Sequence, residues 1–472
     1  MKKNSRFLSL LLAFTMVFSS FSLVFADEEQ AAKDLASNWA VGYLMEAQIQ
    51  ELADGAYFAK FKEGVTREEL ANFAVTLYEK FSEEVTPISP NPFKDTDNQG
   101  VLKALTLGLF TAEGEEFFPE EKVKREDVAT VIYNVIHKCE PNILGSSEDK
   151  VKAIVSNGIL KGKSANDLGL DDICTREEVL SLFARTYDFI VHKTDRAAKG
   201  FMWEVSNGKN SVYVLGSIHT GDSSIYPFSE GILDAFDNSN VLAVEANIVA
   251  DKEGTQYMMD KASYSGDDTL EKNISEETYK LFVETIKSAG LNPEDYVKFK
   301  PWFAALLVQN LATLESSLDP TLGIDYNLII KAMFGGKDIM EIEGIKFQTD
   351  LFDSMPKEIQ ENFLRSSIDE KDTKDTNTSG ELVKYMLELW KKGDMVEFEK
   401  IMSQASLEMD GEFGNIFLNE RNKNMVDKVE EFLNSEDGKS YFVVVGAGHL
   451  TGDTGIINAL KDKGYTVKQI IK

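Results

Sequence analysis

Apolar residues along this chain follow two rhythms that change over near residue 200. In the first stretch they recur at helical spacing. Thr66-Arg67-Glu68-Glu69-Leu70 opens a run continued by Phe73, Leu77 and Phe81. Lys124-Arg125-Glu126-Asp127-Val128 opens a run with Val131, Ile132 and Val135, and Thr175-Arg176-Glu177-Glu178-Val179 opens one with Leu182, Phe183 and Tyr187. These openings place acids in a first helical turn, where unpaired backbone N–H groups need acceptors, and two of them begin on a capping threonine. A second amphipathic segment precedes each, at residues 39–52, 101–110 and 150–160. The pattern predicts an α-helical array of three units, because a repeat of about 50 residues buries its apolar face only against its neighbours.

Beyond Gly200 the rhythm shortens. Apolar runs of strand length lie at 201–205, 211–215, 241–244, 338–342 and 441–445, the first two joined by the turn-forming Ser206-Asn207-Gly208-Lys209-Asn210. Helical patterns fall between them at 275–289, 302–314, 325–334, 381–392 and 415–433. Such alternation predicts an α/β (α+β) domain over 200–472. The polar stretch 369–379 reads as a loop within it.

Composition narrows the function classes. The 472 residues hold 79 acidic against 50 basic side chains, a formal net charge of −29, which excludes nucleic-acid binding as a principal role. Lys2, Lys3 and Arg6 ahead of an apolar stretch to Phe25 read as a secretory signal peptide over 1–26, cut after Ala26, so the chain is expected to be exported. No later apolar stretch is long enough to span a bilayer, so no transmembrane segment is expected after signal cleavage. The two cysteines, Cys139 and Cys174, could pair in an oxidising compartment or stay as core thiols.

Candidate chemistry collects at strand ends. Two of the four histidines close a Gly-x-x-His turn after a β-branched run: Gly216-Ser217-Ile218-His219 and Gly446-Ala447-Gly448-His449. Glu245 ends the run at 241–244, and Glu343 follows that at 338–342. Parallel strands deliver their functional groups at their carboxyl ends. His219, His449 and Glu245 are therefore expected as ligands of a divalent transition metal (Mn, Co or Zn), with Glu245 or Glu343 as the acid or base beside it. Arg421 is placed to hold a substrate carboxylate or a developing oxyanion, or else to sit in a buried ion pair. Asp325, Gln348 and Asn422 complete the expected substrate-binding set.

Two resemblances extend these readings. Trp39-Ala40, Phe93-Lys94-Asp95, Phe118-Pro119, Gly158-Ile159-Leu160-Lys161-Gly162 and the Thr-Arg-Glu openings resemble S-layer homology repeats, here at 34–82, 92–138 and 146–190. That resemblance implies a pseudo-threefold module holding the protein on a secondary cell-wall polymer, with Trp39, Arg67, Arg125 and Arg176 meeting the acidic polymer. LGSIHTGDSSIYPF, VLAVEAN, LGIDYNLIIKA, IMEIEGIKFQ, LNERNKNM and VVVGAGHLTGDTGIINALKDKGYTV, in that order, resemble the TraB/PrgY/GumN (Tiki-like) family. This second resemblance implies an α/β (α+β) domain with a mixed sheet; some animal members are metal-dependent proteases, and one bacterial member dampens peptide-pheromone signalling. The expectation is an exported, wall-anchored, metal-dependent hydrolase of peptide bonds. Its alternative is a non-catalytic surface protein that binds or sequesters a peptide signal.

Overall fold

A computed structural model describes residues 35–471 except 112–113, 146–148, 163, 165–166, 316, 370–378 and 409–413. The expected signal peptide at 1–26 lies outside the described residues, as does most of the polar stretch at 369–379. The chain divides after Ala197 into two units.

The N-terminal unit is helical. Its elements are α1 (Asn38–Ile49), α2 (Arg67–Ser82), α3 (Gln99–Leu107), α4 (Arg125–Cys139), α5 (Lys150–Ser156) and α6 (Arg176–Lys193). The expected openings are the N-termini of α2, α4 and α6. Thr66 accepts from Glu69 N through its hydroxyl while the Glu69 carboxylate accepts from Thr66 N at 2.9 Å. Asp127 and Glu178 likewise accept from the amides of Lys124 and Thr175 at 2.9 Å. The segments just ahead of these helices meet in a closed ring of backbone hydrogen bonds. Val65 N donates to Cys174 O, Cys174 N to Val123 O, and Val123 N to Val65 O, at 2.9–3.0 Å. The three segments thus close on one another at buried Val65, Val123 and Cys174. The apolar faces of α2, α4 and α6 pack into one core that includes Phe73, Leu77, Ile132, Val135 and Phe183. No disulfide joins Cys139 and Cys174.

The C-terminal unit is built on a six-stranded sheet: β1 (Phe201–Ser206), β2 (Ser211–Ser217), β3 (Val241–Val244), β4 (Asp338–Glu341), β5 (Tyr441–Gly446) and β6 (Thr466–Ile470). The spatial order is β4-β3-β5-β2-β1-β6. β4, β3, β5 and β2 are mutually parallel, and β1 runs antiparallel to both β2 and β6. The sheet is therefore mixed. β3 and β5 are buried along their whole length, which is why they read as unbroken apolar runs rather than alternating ones.

Helices surround the sheet: α7 (Glu230–Asp237), α8 (Lys252–Ala262), α9 (Glu276–Ser288), α10 (Pro301–Glu315), α11 (Ile324–Gly335), α12 (Ile345–Asp353), α13 (Lys357–Asp369), α14 (Ser379–Lys392), α15 (Met395–Glu408), α16 (Arg421–Leu433) and α17 (Ile456–Asp462). Several of those between β3 and β5 form a second core around Trp302, Phe352, Phe363 and Phe417, whose rings lie 5.1–6.0 Å from that of Phe352. The helix expected over 415–433 begins only at Arg421; a wider π-helical turn, Asn415–Glu420, precedes it. No helix among the described residues is long and apolar enough to cross a membrane.

Candidate functional site

Parallel pairing brings the carboxyl ends of β2, β5, β3 and β4 to one edge. Register places Ser217 opposite Gly446, so the two Gly-x-x-His turns leave the sheet side by side. Gly216 is what lets them approach: a Cβ there would lie 2.7 Å from Leu450 Cδ1 and 3.0 Å from Ala447 Cα. Trp390 on α14 locks the same turn by donating its indole N–H to Gly216 O at 2.7 Å.

Glu245 follows β3 directly. After β4 the chain turns back, and the amides of Glu343 and Gly344 both donate to Glu245 O, at 3.0 and 2.8 Å. The two carboxylates then converge on Arg421, the first residue of α16. Arg421 Nη2 lies 2.7 Å from Glu245 Oε2 and 2.7 Å from Glu343 Oε2, and Nε reaches Glu343 Oε1 at 2.9 Å. All three side chains are at most 6% exposed. Burial opposes the Arg421 charge, but Glu245 and then Glu343 outweigh it and push its pKa above the ordinary arginine value. Gln348 on α12 donates to both carboxylates, at 3.2 and 3.0 Å, and Gly446 N donates to Glu245 Oε1 at 2.6 Å.

The two histidines are oriented by different partners. His449 Nδ1 lies 2.6 Å from Asn422 Oδ1. The Asn422 amide is held the right way round because its Nδ2 donates to Thr454 O at 3.0 Å. Nδ1 of His449 is therefore the protonated nitrogen and Nε2 carries the lone pair. Burial, reinforced by the Arg421 charge, holds the His449 pKa well below the usual histidine range, so the ring is neutral. Its Nε2 is buried without a hydrogen-bond partner, 3.7 Å from Glu245 Oε1. His219 Nδ1 lies 2.9 Å from Asp325 Oδ1, at the start of α11. Ile324 N donates to Ile218 O, and Tyr226 donates its hydroxyl to Leu322 O at 2.9 Å, which pins the loop ahead of that helix.

Every C-terminal residue singled out from sequence thus lies in this region, in two groups: Glu245, Glu343, Gln348, Arg421, Asn422 and His449 form one connected network, and His219 with Asp325 forms a pair beside it. Sequence reasoning missed Trp390, Gly446 as a donor, and the buried hydroxyls of Ser217 and Thr220, which have no hydrogen-bond partner among the described residues. Ser217 and Thr220 flank the first histidine turn, and that adjacency was the available signal.

Residues 201–469 match the model of the TraB/PrgY/gumN family. The chain belongs to the TraB/PrgY/gumN family. Among curated relatives, it is 24% identical over 258 residues to the uncharacterized protein YbaP of Escherichia coli, covering 54% of this chain and 89% of that one. It is 38% identical over 63 residues to a metalloprotease TIKI homolog of Nematostella vectensis, 13% of either chain. An uncharacterized protein of Treponema pallidum is 23% identical over 172 residues, 35% of this chain and 50% of that one.

The metal expected at His219, His449 and Glu245 is not supported in this TraB/PrgY/gumN domain. Among the described residues, no group of three or more His, Cys, Asp or Glu side chains is arranged to hold a metal ion. The reason lies in the partners. Glu343 is gripped through both oxygens by Arg421. One oxygen of Glu245 faces Arg421 and the other faces Gly446 N. His219 is turned by its Nδ1 to Asp325. The expected Mn, Co or Zn cofactor is withdrawn with that donor set, and so are the metal-dependent hydrolase and its peptidase chemistry.

In the N-terminal unit Trp39 is 51% exposed. Arg125 and Arg176 are buried, and Arg67 is half-buried.

Proposed function

We propose that the TraB/PrgY/gumN domain binds a peptide and holds it without cleaving it. The observation that supports this reading is the pairing of Glu245 and Glu343 with Arg421, which ties the carboxylates to the protein's own cation and leaves the site rigid. Beside that network, His449 Nε2, Ser217 Oγ and Thr220 Oγ1 are buried polar atoms lacking partners. Such atoms cost about 1–3 kcal/mol each when unsatisfied, and backbone amides of an extended peptide supply the donors and acceptors they lack. Asp325, Gln348 and Asn422 act in this reading by orienting His219, the carboxylates and His449.

In the same reading the N-terminal unit is a set of three S-layer homology repeats, at 34–82, 92–138 and 146–190, that anchors an exported protein on an acidic secondary cell-wall polymer. The closed ring of backbone hydrogen bonds at Val65, Val123 and Cys174 supports three equivalent units. The binding reading is tested by fluorescence anisotropy with labelled peptides from a tryptic casein digest. His449→Gln and Ser217→Ala are expected to weaken binding at least tenfold with unchanged circular dichroism. Equal affinity in both variants contradicts the site.

A further inference from the structure

The buried network of Glu245, Glu343 and Arg421 is short of one positive charge, and the unsatisfied nitrogen beside it is an acceptor. Two carboxylates share the single Arg421 guanidinium. Among the described residues, no lysine and no second arginine pairs with either, so a formal charge of −1 is left over. The neighbouring pair of His219 and Asp325 does not supply the difference. With its imidazole protonated that pair sums to zero, and otherwise to −1. A buried charge without a counter-charge is costly to the fold that carries it.

The hydrogen-bonding groups point the same way. Asn422 Oδ1 accepts the proton on His449 Nδ1, so Nε2 presents a lone pair. His449 is 1% exposed, and this nitrogen has no hydrogen-bond partner among the described residues. It faces Glu245 Oε1 across 3.7 Å, too far for the two to hydrogen-bond each other. Glu245 Oε1 accepts from Gly446 N and has room for a second donor. Two acceptors at this separation can both lie about 2.9 Å from one bridging nitrogen. Ser217, the register partner of Gly446, adds a buried hydroxyl that is likewise unsatisfied.

We propose that the bound peptide places a primary ammonium at His449 Nε2 and Glu245 Oε1, from its amino terminus or from a lysine side chain. The inference rests on the peptide-binding reading and names the group the site selects. A backbone amide N–H would satisfy Nε2 but leave the buried charge uncompensated. An ammonium does both, because it brings one positive charge and three donors. Its hydrogen bonds to an ionised carboxylate are also roughly twice as strong as those between neutral groups.

The test mixes full-length protein with a tryptic casein digest, one half of which has every amine acetylated with acetic anhydride. Retained peptides are quantified by mass spectrometry. Acetylation is expected to lower retention at least tenfold. Peptides ending in arginine carry only the α-ammonium, whereas those ending in lysine also carry an ε-ammonium. Similar retention of both kinds assigns the amino terminus, and retention of lysine-ended peptides alone assigns the side chain. Glu245→Gln removes the surplus charge and is expected to cut the preference for free over acetylated peptides to less than twofold, with folding checked by circular dichroism. If that variant does not fold, the wild-type comparison decides alone. Equal retention of free and acetylated peptides by wild type overturns the ammonium and leaves peptide binding standing. A folded Glu245→Gln that keeps the tenfold preference overturns it too. Retention of neither form overturns the binding reading itself, and this inference with it.

Discussion

Arg421 Nη2 and Glu343 Oε2 lie 2.7 Å apart, with both side chains 2% exposed. The same nitrogen serves Glu245. One cation thus neutralises one of two buried carboxylates, and the triad retains a formal charge of −1. Removing the cation leaves two uncompensated charges, and breaking a buried pair in this way costs about 3–5 kcal/mol. Arg421→Met is expected to lose stability on that scale in urea unfolding. The triple variant with Glu245→Gln and Glu343→Gln is expected to recover most of it. A single variant within 1 kcal/mol of wild type (a surface-pair value) contradicts the account of the network.

His449 sets a pH dependence. Its folded pKa lies well below the usual value because it is buried beside Arg421. The unfolded chain therefore binds a proton at a higher pH than the folded one. Stability is full above the ordinary histidine pKa of about 6.5 and falls as pH drops below it, by about 1.4 kcal/mol per unit for one proton, until the folded pKa is reached. Urea midpoints from pH 7 down to pH 5 are expected to show this slope, and His449→Gln is expected to reduce it. An unchanged slope in the variant assigns it to other groups.

Gly323 couples His219 to its partner. A Cβ at this position would lie 2.4 Å from His219 O, a contact with backbone that no rotamer change relieves. Gly323→Ala is expected to displace the start of α11, carrying Asp325 away from His219, with a stability loss of about 1–3 kcal/mol. Peptide affinity should fall with it. A crystal structure of the variant with the 2.9 Å contact between His219 and Asp325 intact would falsify the coupling.

Much of this arrangement was legible in the sequence because it depends on local chemistry. The helix openings at Thr66, Lys124 and Thr175 carry their own acceptors three residues on. The strands at 241–244 and 441–445 are buried on both faces and so appear as unbroken apolar runs. What lies at their carboxyl ends follows from parallel pairing, and His219, Glu245, Glu343 and His449 were found in that way. β6 was not, because its burial is only partial and its Val467-Lys468-Gln469 segment carries little apolar signal. The metal was a wrong step for a physical reason. Sequence places carboxylates and imidazoles together, but it does not show that Arg421, 176 positions from Glu245, arrives first as their partner.

The most direct test of the central claim is peptide retention without metal. Full-length protein is dialysed against chelator and mixed with a tryptic casein digest. The bound fraction is then recovered and weighed peptide by peptide by mass spectrometry, with and without added Mn, Co or Zn. The account predicts that peptides are retained intact in chelator, in amounts the metals do not change, and that His449→Gln releases them. Cleaved peptides that appear only with added metal, or retention that requires it, would contradict the binding account.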